Sequence, residues 1–160
     1  MKTLATFLYL CVTSVYIAYT QNPIIKWQKT FGGSSFDGGY KVKQTTDGGY
    51  IVCGYSWSAD GDSKGHHGSN GLAPDGWVVK LSATGDTMWT KSLGGNGDDY
   101  AYDVVQADDG GYVVALQSRS YDGDVTLNKG DWDYWVVKLN ANGQIVWEKS
   151  YGGTGSDEAL

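Results

Sequence analysis

The chain has 160 residues and a formal net charge of −6, and it contains 24 glycines, 2 prolines, 7 tryptophans and 12 tyrosines. This charge balance argues against nucleic acid as a partner, because phosphate binding draws its affinity from clustered Lys and Arg side chains. The many aromatic residues and glycines argue against a disordered or collagen-like chain and predict turn-rich β-structure.

The first twenty residues have the features of a secretory signal peptide. One Lys precedes an apolar run from Leu4 to about Tyr19, which matches the charged and apolar regions of such a signal. A membrane anchor is the alternative, but the run is shorter than the roughly 20 apolar residues that span a bilayer. We therefore predict a signal peptide over 1–20 and a mature chain over 21–160. The mature chain has no predicted membrane span and is expected to be secreted, extracellular or at the cell surface.

Cysteine usage limits how the mature chain is stabilised. Removal of the signal would leave Cys53 alone, so no internal disulfide can form. Cys53 aligns with Ala115 in an internal repeat, which indicates a small packing position rather than a nucleophile. Stability is therefore expected to come from packing.

The mature chain repeats a unit of about 60 residues. Trp27, Trp89 and Trp147 stand in the segments WQKTFGG, WTKSLGG and WEKSYGG, and they lie 62 and then 58 residues apart. The spacings differ because the first unit carries four extra residues between its DGD and WVVK motifs. We place one repeat at about 27–88 and the next at 89–146, with a third beginning at 147.

Each unit contains four apolar or alternating runs. In the second unit, YDVVQ and YVVAL are separated by Asp-Asp-Gly-Gly, and WVVKL and IVWEK by NANGQ. Asp-Gly and Asn-Gly supply the positive φ angles of tight hairpin turns, so each unit is predicted to form one four-stranded antiparallel sheet. The predicted strands lie near 39–45, 49–57, 76–82 and 86–92, then near 101–107, 111–119, 134–140 and 144–150.

The run YVVAL is apolar on both faces, and a sheet with two apolar faces needs a neighbour on each side. A four-stranded unit of this length predicts β-propeller blades. A β-solenoid is the alternative, but its coils are nearer 20–30 residues. The predicted fold is all-β, with two full blades of four antiparallel strands in an incomplete ring and an N-terminal closing strand in IIKWQK. Rings need four to eight blades, so we expect an N-terminal fragment. The remaining blades would come from the same chain or from a homo-oligomer.

The segments WVVKLSATGDTMWTKSLGG and WVVKLNANGQIVWEKSYGG resemble the tryptophan-docking blades of quinoprotein-type propellers. With the DGGY hairpin and the DGD loop included, the unit resembles repeats of secreted bacterial propeller proteins, many of which carry a C-terminal sorting domain for type IX secretion. The resemblance covers residues 24–160. It implies a fold and no particular activity, because propellers host unrelated functions. A quinone cofactor would need a complete ring, which two blades cannot enclose.

The resemblance also implies that the acidic loops emerge on one rim of the propeller. Clustered carboxylates suggest calcium, which takes six to eight oxygen ligands. Calcium is accordingly the one cofactor predicted. The alternative is that Asp and Asn cap turns through backbone amides, and neither loop has the spacing of an EF-hand. The predicted calcium ligands are Asp60, Asp62, Asp122, Asp124, Asn128 and Asp131.

No catalytic residue is predicted. Asp122 and Asp124 resemble a pair of glycosidase carboxylates, but a flexible loop holds such neighbours poorly at a fixed separation. His66 and His67 form the one histidine pair, and no cysteine or third histidine is placed to join them around a transition metal. We expect both histidines to be exposed loop residues.

Exposed aromatic side chains stack on sugar rings, and the aromatic residues expected to border the acidic rim are Trp57, Tyr55, Trp132 and Tyr134. Of these, Trp57, Trp132 and Tyr134 are predicted ligand contacts, with packing between blades as the competing role for all but Trp132. The predicted function is a secreted, non-enzymatic propeller that acts as a binding or adhesion scaffold for glycans or cell-surface proteins. An accessory or partial module of a secreted polysaccharide-degrading enzyme is the alternative.

Overall fold

The computed structural model describes residues 24–68 and 72–157, so the predicted signal peptide lies outside the described residues. The described chain is all-β and forms two antiparallel four-stranded sheets with the strand orders β1-β2-β3-β4 and β5-β6-β7-β8. We call these sheets blade one and blade two. The strands are β1 (Asp37–Gln44), β2 (Tyr50–Ser56), β3 (Asp75–Leu81), β4 (Thr87–Leu93), β5 (Asp99–Gln106), β6 (Tyr112–Ser118), β7 (Asp133–Leu139) and β8 (Ile145–Tyr151).

This architecture confirms the predicted fold class, and each strand begins and ends within two residues of its predicted bounds. No helix occurs among the described residues, and hence none that is long and apolar enough to cross a membrane. The hairpin turns are closed by Gly48, Gly85, Gly110 and Gly143, with φ angles between 78° and 80°. Glycine adopts such angles without strain, which explains why Asp-Gly and Asn-Gly pairs located the hairpins at Gly48, Gly110 and Gly143.

A buried lysine supports each β1–β2 or β5–β6 hairpin. Lys80 on β3 is almost fully buried, and its Nζ lies 2.8 Å from Asp47 Oδ2 in the facing turn. Lys138 repeats the contact with Asp109 at 2.7 Å. Hydrogen bonding to Lys80 holds the pKa of Asp47 well below its usual range. The lysine of the WVVKL motif is therefore an internal anchor for the turn.

The main hydrophobic core lies between the two blades. Blade one contributes one face of its sheet and blade two the opposite face of its own, and β5 contacts β1, β2 and β3. At the edge of this core, Lys43 on β1 pairs with Asp103 on β5 at 2.7 Å. The core residues are Ile51, Cys53, Val78, Leu93, Ala101, Val104, Tyr112, Val114, Leu116, Val125, Trp135, Val137 and Leu139.

Cys53 is buried in this core, which confirms its predicted packing position. Burial raises the pKa of its thiol to about 12, so the group stays protonated at neutral pH. A small uncharged side chain suits this position because the facing sheet packs directly over it.

The repeated tryptophans dock each blade onto the next. Trp89 on β4 lies edge-on to Tyr112, with ring centroids 5.7 Å apart and an angle of 65° between the rings. Its Nε1 donates to the carbonyl oxygen of Ala141 at 3.1 Å. A Cβ atom added at Gly143 would lie 2.8 Å from the Trp89 ring, so the socket requires glycine. Trp89 of blade one is thus docked on blade two.

The N-terminal segment uses the same contact without forming a strand. Trp27 lies 5.7 Å from Tyr50 at 66°, and a Cβ atom at Gly85 would lie 2.8 Å from its ring. Residues 24–30 form no strand and join neither sheet. Trp27 therefore occupies the docking position without the ladder expected of a closing strand, and ring closure by this segment stays a prediction.

Replacing Trp89 tests how much the docking contact stabilises the fold. We expect Trp89→Ala to lower the free energy of unfolding by about 2–4 kcal/mol, because it removes a half-buried ring and leaves a cavity beside Tyr112. Urea unfolding followed by circular dichroism measures the change.

Trp147→Ala is the matched control, since this repeat-equivalent ring has no aromatic partner among the described residues and is 44% exposed. At protein concentrations of about 1 µM, where self-association is suppressed, it should change stability by less than about 0.5 kcal/mol. Equal losses for the two variants would contradict the docking role.

Candidate functional site

The loops that carry the acidic motifs meet on one edge of the two sheets, which we call the rim. It consists of the segments before β1 (32–36) and between β4 and β5 (94–98), together with the long loops β2–β3 and β6–β7. Backbone hydrogen bonds join these segments in both blades, from Asp62 N to Gly32 O at 3.0 Å and from Asp124 N to Gly94 O at 2.8 Å. The common rim expected from the resemblance is therefore present.

The first carboxylate of each DGD motif ties the rim loops together. Asp60 Oδ1 accepts a hydrogen bond from the backbone amide of Ser34 at 2.8 Å. Asp122 Oδ1 accepts the equivalent bond from Asn96 at 2.7 Å. These bonds match the turn-capping alternative for the acidic residues.

The remaining predicted calcium ligands also have protein partners. Asp62 Oδ2 lies 3.3 Å from the Gly32 amide, and Asp124 Oδ2 lies 3.0 Å from Lys91 Nζ. Asn128 Oδ1 accepts from the Gly130 amide at 3.1 Å, and Asp131 pairs with Arg119 at 2.9 Å. Each of these four side chains therefore already has a hydrogen-bond or ion-pair partner within the protein.

Among residues 24–68 and 72–157, no three His, Cys, Asp or Glu side chains are grouped so that they could hold a metal ion. Calcium binding stays a prediction, and it requires these loop contacts to rearrange.

If calcium binds, titration with Ca²⁺ should release or absorb heat and should raise the Tm. Both effects should be diminished in the double variant Asp122→Asn/Asp124→Asn. Absence of both effects in the unchanged chain would dismiss it.

A third set of aspartates closes the turn at the start of each unit. Asp37 Oδ2 accepts from the Gly33 amide at 2.8 Å and from Ser58 Oγ at 2.9 Å. The same turn recurs at Asp99 with the Gly95 amide at 3.0 Å, and at Asp157 with the Gly153 amide at 2.7 Å. None of these three residues was among the predicted calcium ligands. The spacing GGxxxD, present in all three copies, is the signal for their role.

Two buried carboxylates lie near the junction of the blades. Asp75 and Asp99 are both 0% exposed, and Oδ1 of each has no hydrogen-bond partner in the described chain. The backbone holds them close, because the Asp99 amide donates to the carbonyl oxygen of Pro74 at 2.8 Å. Desolvation raises the pKa of Asp99 to about 7, and the charge of Asp75 adds to this shift.

His67 links this acidic pair to the rim of blade two. Its Nδ1 lies 2.8 Å from Asp75 Oδ2, and its Nε2 lies 3.5 Å from Asp124 Oδ2. The hydrogen bond to Asp75 raises the pKa of His67, opposed by desolvation and by the nearby Lys91. The expectation that His66 and His67 are exposed loop residues is wrong, because both are half-buried and His67 contacts Asp75 at the start of β3.

Five aromatic rings form a continuous cluster across the blade junction near the rim. Tyr40 and Tyr102 are nearly parallel at 5.2 Å, and Tyr55 lies 5.4 Å from both Tyr40 and Tyr100. Tyr100 in turn lies 6.0 Å from Trp132. We call these residues, Tyr40, Tyr55, Tyr100, Tyr102 and Trp132, the aromatic cluster.

The parallel pair arises from the repeat itself. Tyr40 and Tyr102 lie 62 residues apart, and each stands at a β-bulge in the first strand of its blade. A bulge turns a side chain out of the regular alternation, which brings two equivalent rings together. Sequence reasoning did not select these tyrosines. Their shared position in the repeat is the signal that could have found them.

The structure separates the three predicted ligand aromatics. Trp132 belongs to the aromatic cluster, with the guanidinium of Arg119 5.3 Å from its ring centroid. Tyr134 lies on β7 beside Tyr151, at 6.4 Å, on the uncovered face of blade two. Trp57 is half-buried on the rim and joins no ring of the cluster. Of the three, Trp132 alone therefore belongs to the aromatic cluster.

No model of a known protein family matches the chain, and no curated protein matches it. The site is therefore interpreted from its own geometry.

Replacing Asp99 tests the buried carboxylate pair. Because the pKa of folded Asp99 is above its unfolded value of about 4, its neutral form adds stability that is complete below about pH 4 and is lost as the pH rises through about 7. The free energy of unfolding of the unchanged chain relative to Asp99→Asn should therefore fall by about 2–4 kcal/mol between pH 4 and 8. Urea unfolding at each pH measures it.

Asp109→Asn is the comparison variant, because the contribution of Asp109 to the free energy of unfolding should depend on pH in the opposite direction. Its pKa is lowered by the hydrogen bond to Lys138, so its contribution is present above about pH 4 and is lost as the pH falls through its folded value. A pH-independent difference between the unchanged chain and Asp99→Asn would contradict the raised pKa of Asp99.

Proposed function

We propose that the chain is part of a secreted, non-enzymatic β-propeller scaffold that binds glycans at its rim. The aromatic cluster is the observation that carries this proposal. Glycan sites combine aromatic rings, which stack on the C–H faces of sugars, with a few polar groups that hydrogen-bond hydroxyls. Tyr40 is 47% exposed at one end of the cluster. At the other end Arg119, Asp98 and Asp131 have partly exposed polar groups.

The docking contacts of Trp27 and Trp89 support the likeness to secreted propeller repeat proteins of the quinoprotein-like type. On this proposal, residues 1–20 direct export, a type IX sorting domain belongs to the complete protein, and further blades of the same chain or of other copies complete the ring. A cell-surface protein that carries glycans is a partner of the same chemistry.

The alternative is that the same glycan site serves a secreted polysaccharide-degrading enzyme as an accessory module. Asp99 has the raised pKa that is typical of a catalytic acid, but it is completely buried and a polysaccharide cannot reach it. Asp122 and Asp124 are engaged by the Asn96 amide and by Lys91. These contacts favour a binding role for this part of the chain, and a reducing-end assay on bound glycans separates the two functions.

A glycan array followed by titration calorimetry tests the proposal. Tyr40→Ala should weaken binding of the selected glycan by about tenfold or more, which corresponds to roughly 1.4 kcal/mol, because it removes the most exposed ring of the cluster. Met88→Ala is the control, since Met88 is exposed on β4 near the hairpin end opposite the rim. An array without hits, or equal affinity in the Tyr40 variant, would count against glycan binding at this cluster.

A further inference from the structure

Among residues 24–68 and 72–157 nothing covers one apolar face of blade two, and the repeat shows what kind of surface fits it. On blade one the equivalent face consists of Ile51, Cys53 and Val78, which are buried because blade two packs over them. On blade two the equivalent positions are Val113, Ala115 and Val136, which line an open cleft together with Val104, Val105 and Tyr134. The uncovered face is therefore a second copy of a surface that already binds a blade.

The surface that binds it is also present twice. Blade two covers blade one with a set of side chains that are at most 2% exposed, namely Tyr112, Val114, Trp135, Val137 and Leu139. The corresponding residues of blade one, at the same places in the repeat, are Tyr50, Val52, Trp77, Val79 and Leu81. Blade one of a second copy thus has a docking surface of matching shape and chemistry for the uncovered face of blade two.

A segment of the chain itself already occupies part of that docking surface. We call residues 27–31 the strap. Trp27 fills the socket formed by Tyr50 and Gly85, and Phe31 packs on Trp77, Val79 and Leu81. An ion pair between Lys29 and Asp86 holds the strap in place at the surface.

The strap copies the part of β4 that touches blade two. Trp27 and Phe31 correspond to Trp89 and Leu93 of β4, and to Trp147 and Tyr151 of β8. The β8 pair is 44% and 51% exposed. For β8 to dock on blade one of a second copy, Trp147 would have to enter the socket that Trp27 occupies. The strap and the β8 strand of a neighbour therefore compete for one site.

We propose that this protein associates head to tail with a second copy of itself, through the uncovered face of blade two and blade one of the neighbour, and that the strap controls this association. The strap must leave before Trp147 of one copy enters the Tyr50–Gly85 socket of the next. Contacts of this kind join unlike surfaces, so they produce rings where the rotation closes and open chains where it does not. This inference does not depend on glycan binding.

Sedimentation velocity and light scattering on the polypeptide 21–160 test the proposal. Loosening the strap with Trp27→Ala/Phe31→Ala should lower the dissociation constant for self-association by about tenfold or more relative to the unchanged chain. Adding Val136→Glu to that variant should return it to a monomer, because a carboxylate would be buried on the docking face.

Circular dichroism establishes that each variant is folded. Should the double variant be unfolded, Lys29→Ala loosens the strap at an exposed ion pair without altering the socket, and it should strengthen association by a smaller factor. Folded strap variants that associate no more than the unchanged chain would overturn the proposal. Association that persists with Val136→Glu would do so too, because it would locate the contact elsewhere.

Discussion

Each sheet of this chain is apolar on both faces, and the fold depends on covering both of them. Burial of apolar surface is the main favourable term in folding, and a contiguous apolar face that stays exposed marks an interaction surface. The blade junction meets this requirement by burying Trp135 and Val137 of one sheet in the same core as Ile51 and Val78 of the other. On the opposite face of blade one, the strap provides the cover with a smaller set of contacts.

The polar residues of the rim act mainly as connectors. The carboxylates that seemed available for a metal are bound to backbone amides or to lysine and arginine, as at Asp60 and Asp124. This explains how loops rich in glycine keep a defined course without regular secondary structure. It also leaves the aromatic cluster, with its partly exposed polar neighbours, as the rim surface best suited to a ligand.

The strands and hairpins could be predicted from the sequence because their signals are local. Turn glycines such as Gly110 and the alternation in WVVKL depend only on a few neighbouring residues. The site depended on non-local geometry. His67 was misjudged because its partners Asp75 and Asp124 lie on other parts of the fold. The stacking of Tyr40 on Tyr102 arises only when two bulges in different sheets are brought together. Repeat alignment identifies equivalent positions, but it does not say which equivalents will touch.

Because the thiol of Cys53 is buried between the blades, its chemical reactivity reports on their separation. Thiol–disulfide exchange requires a thiolate and access to the sulfur atom, and the core between the sheets denies both. Reagents such as oxidised glutathione or a maleimide should therefore reach this sulfur only when the sheets move apart. Cys53 is the one cysteine among the described residues, so its labelling rate measures how often the junction between the blades opens.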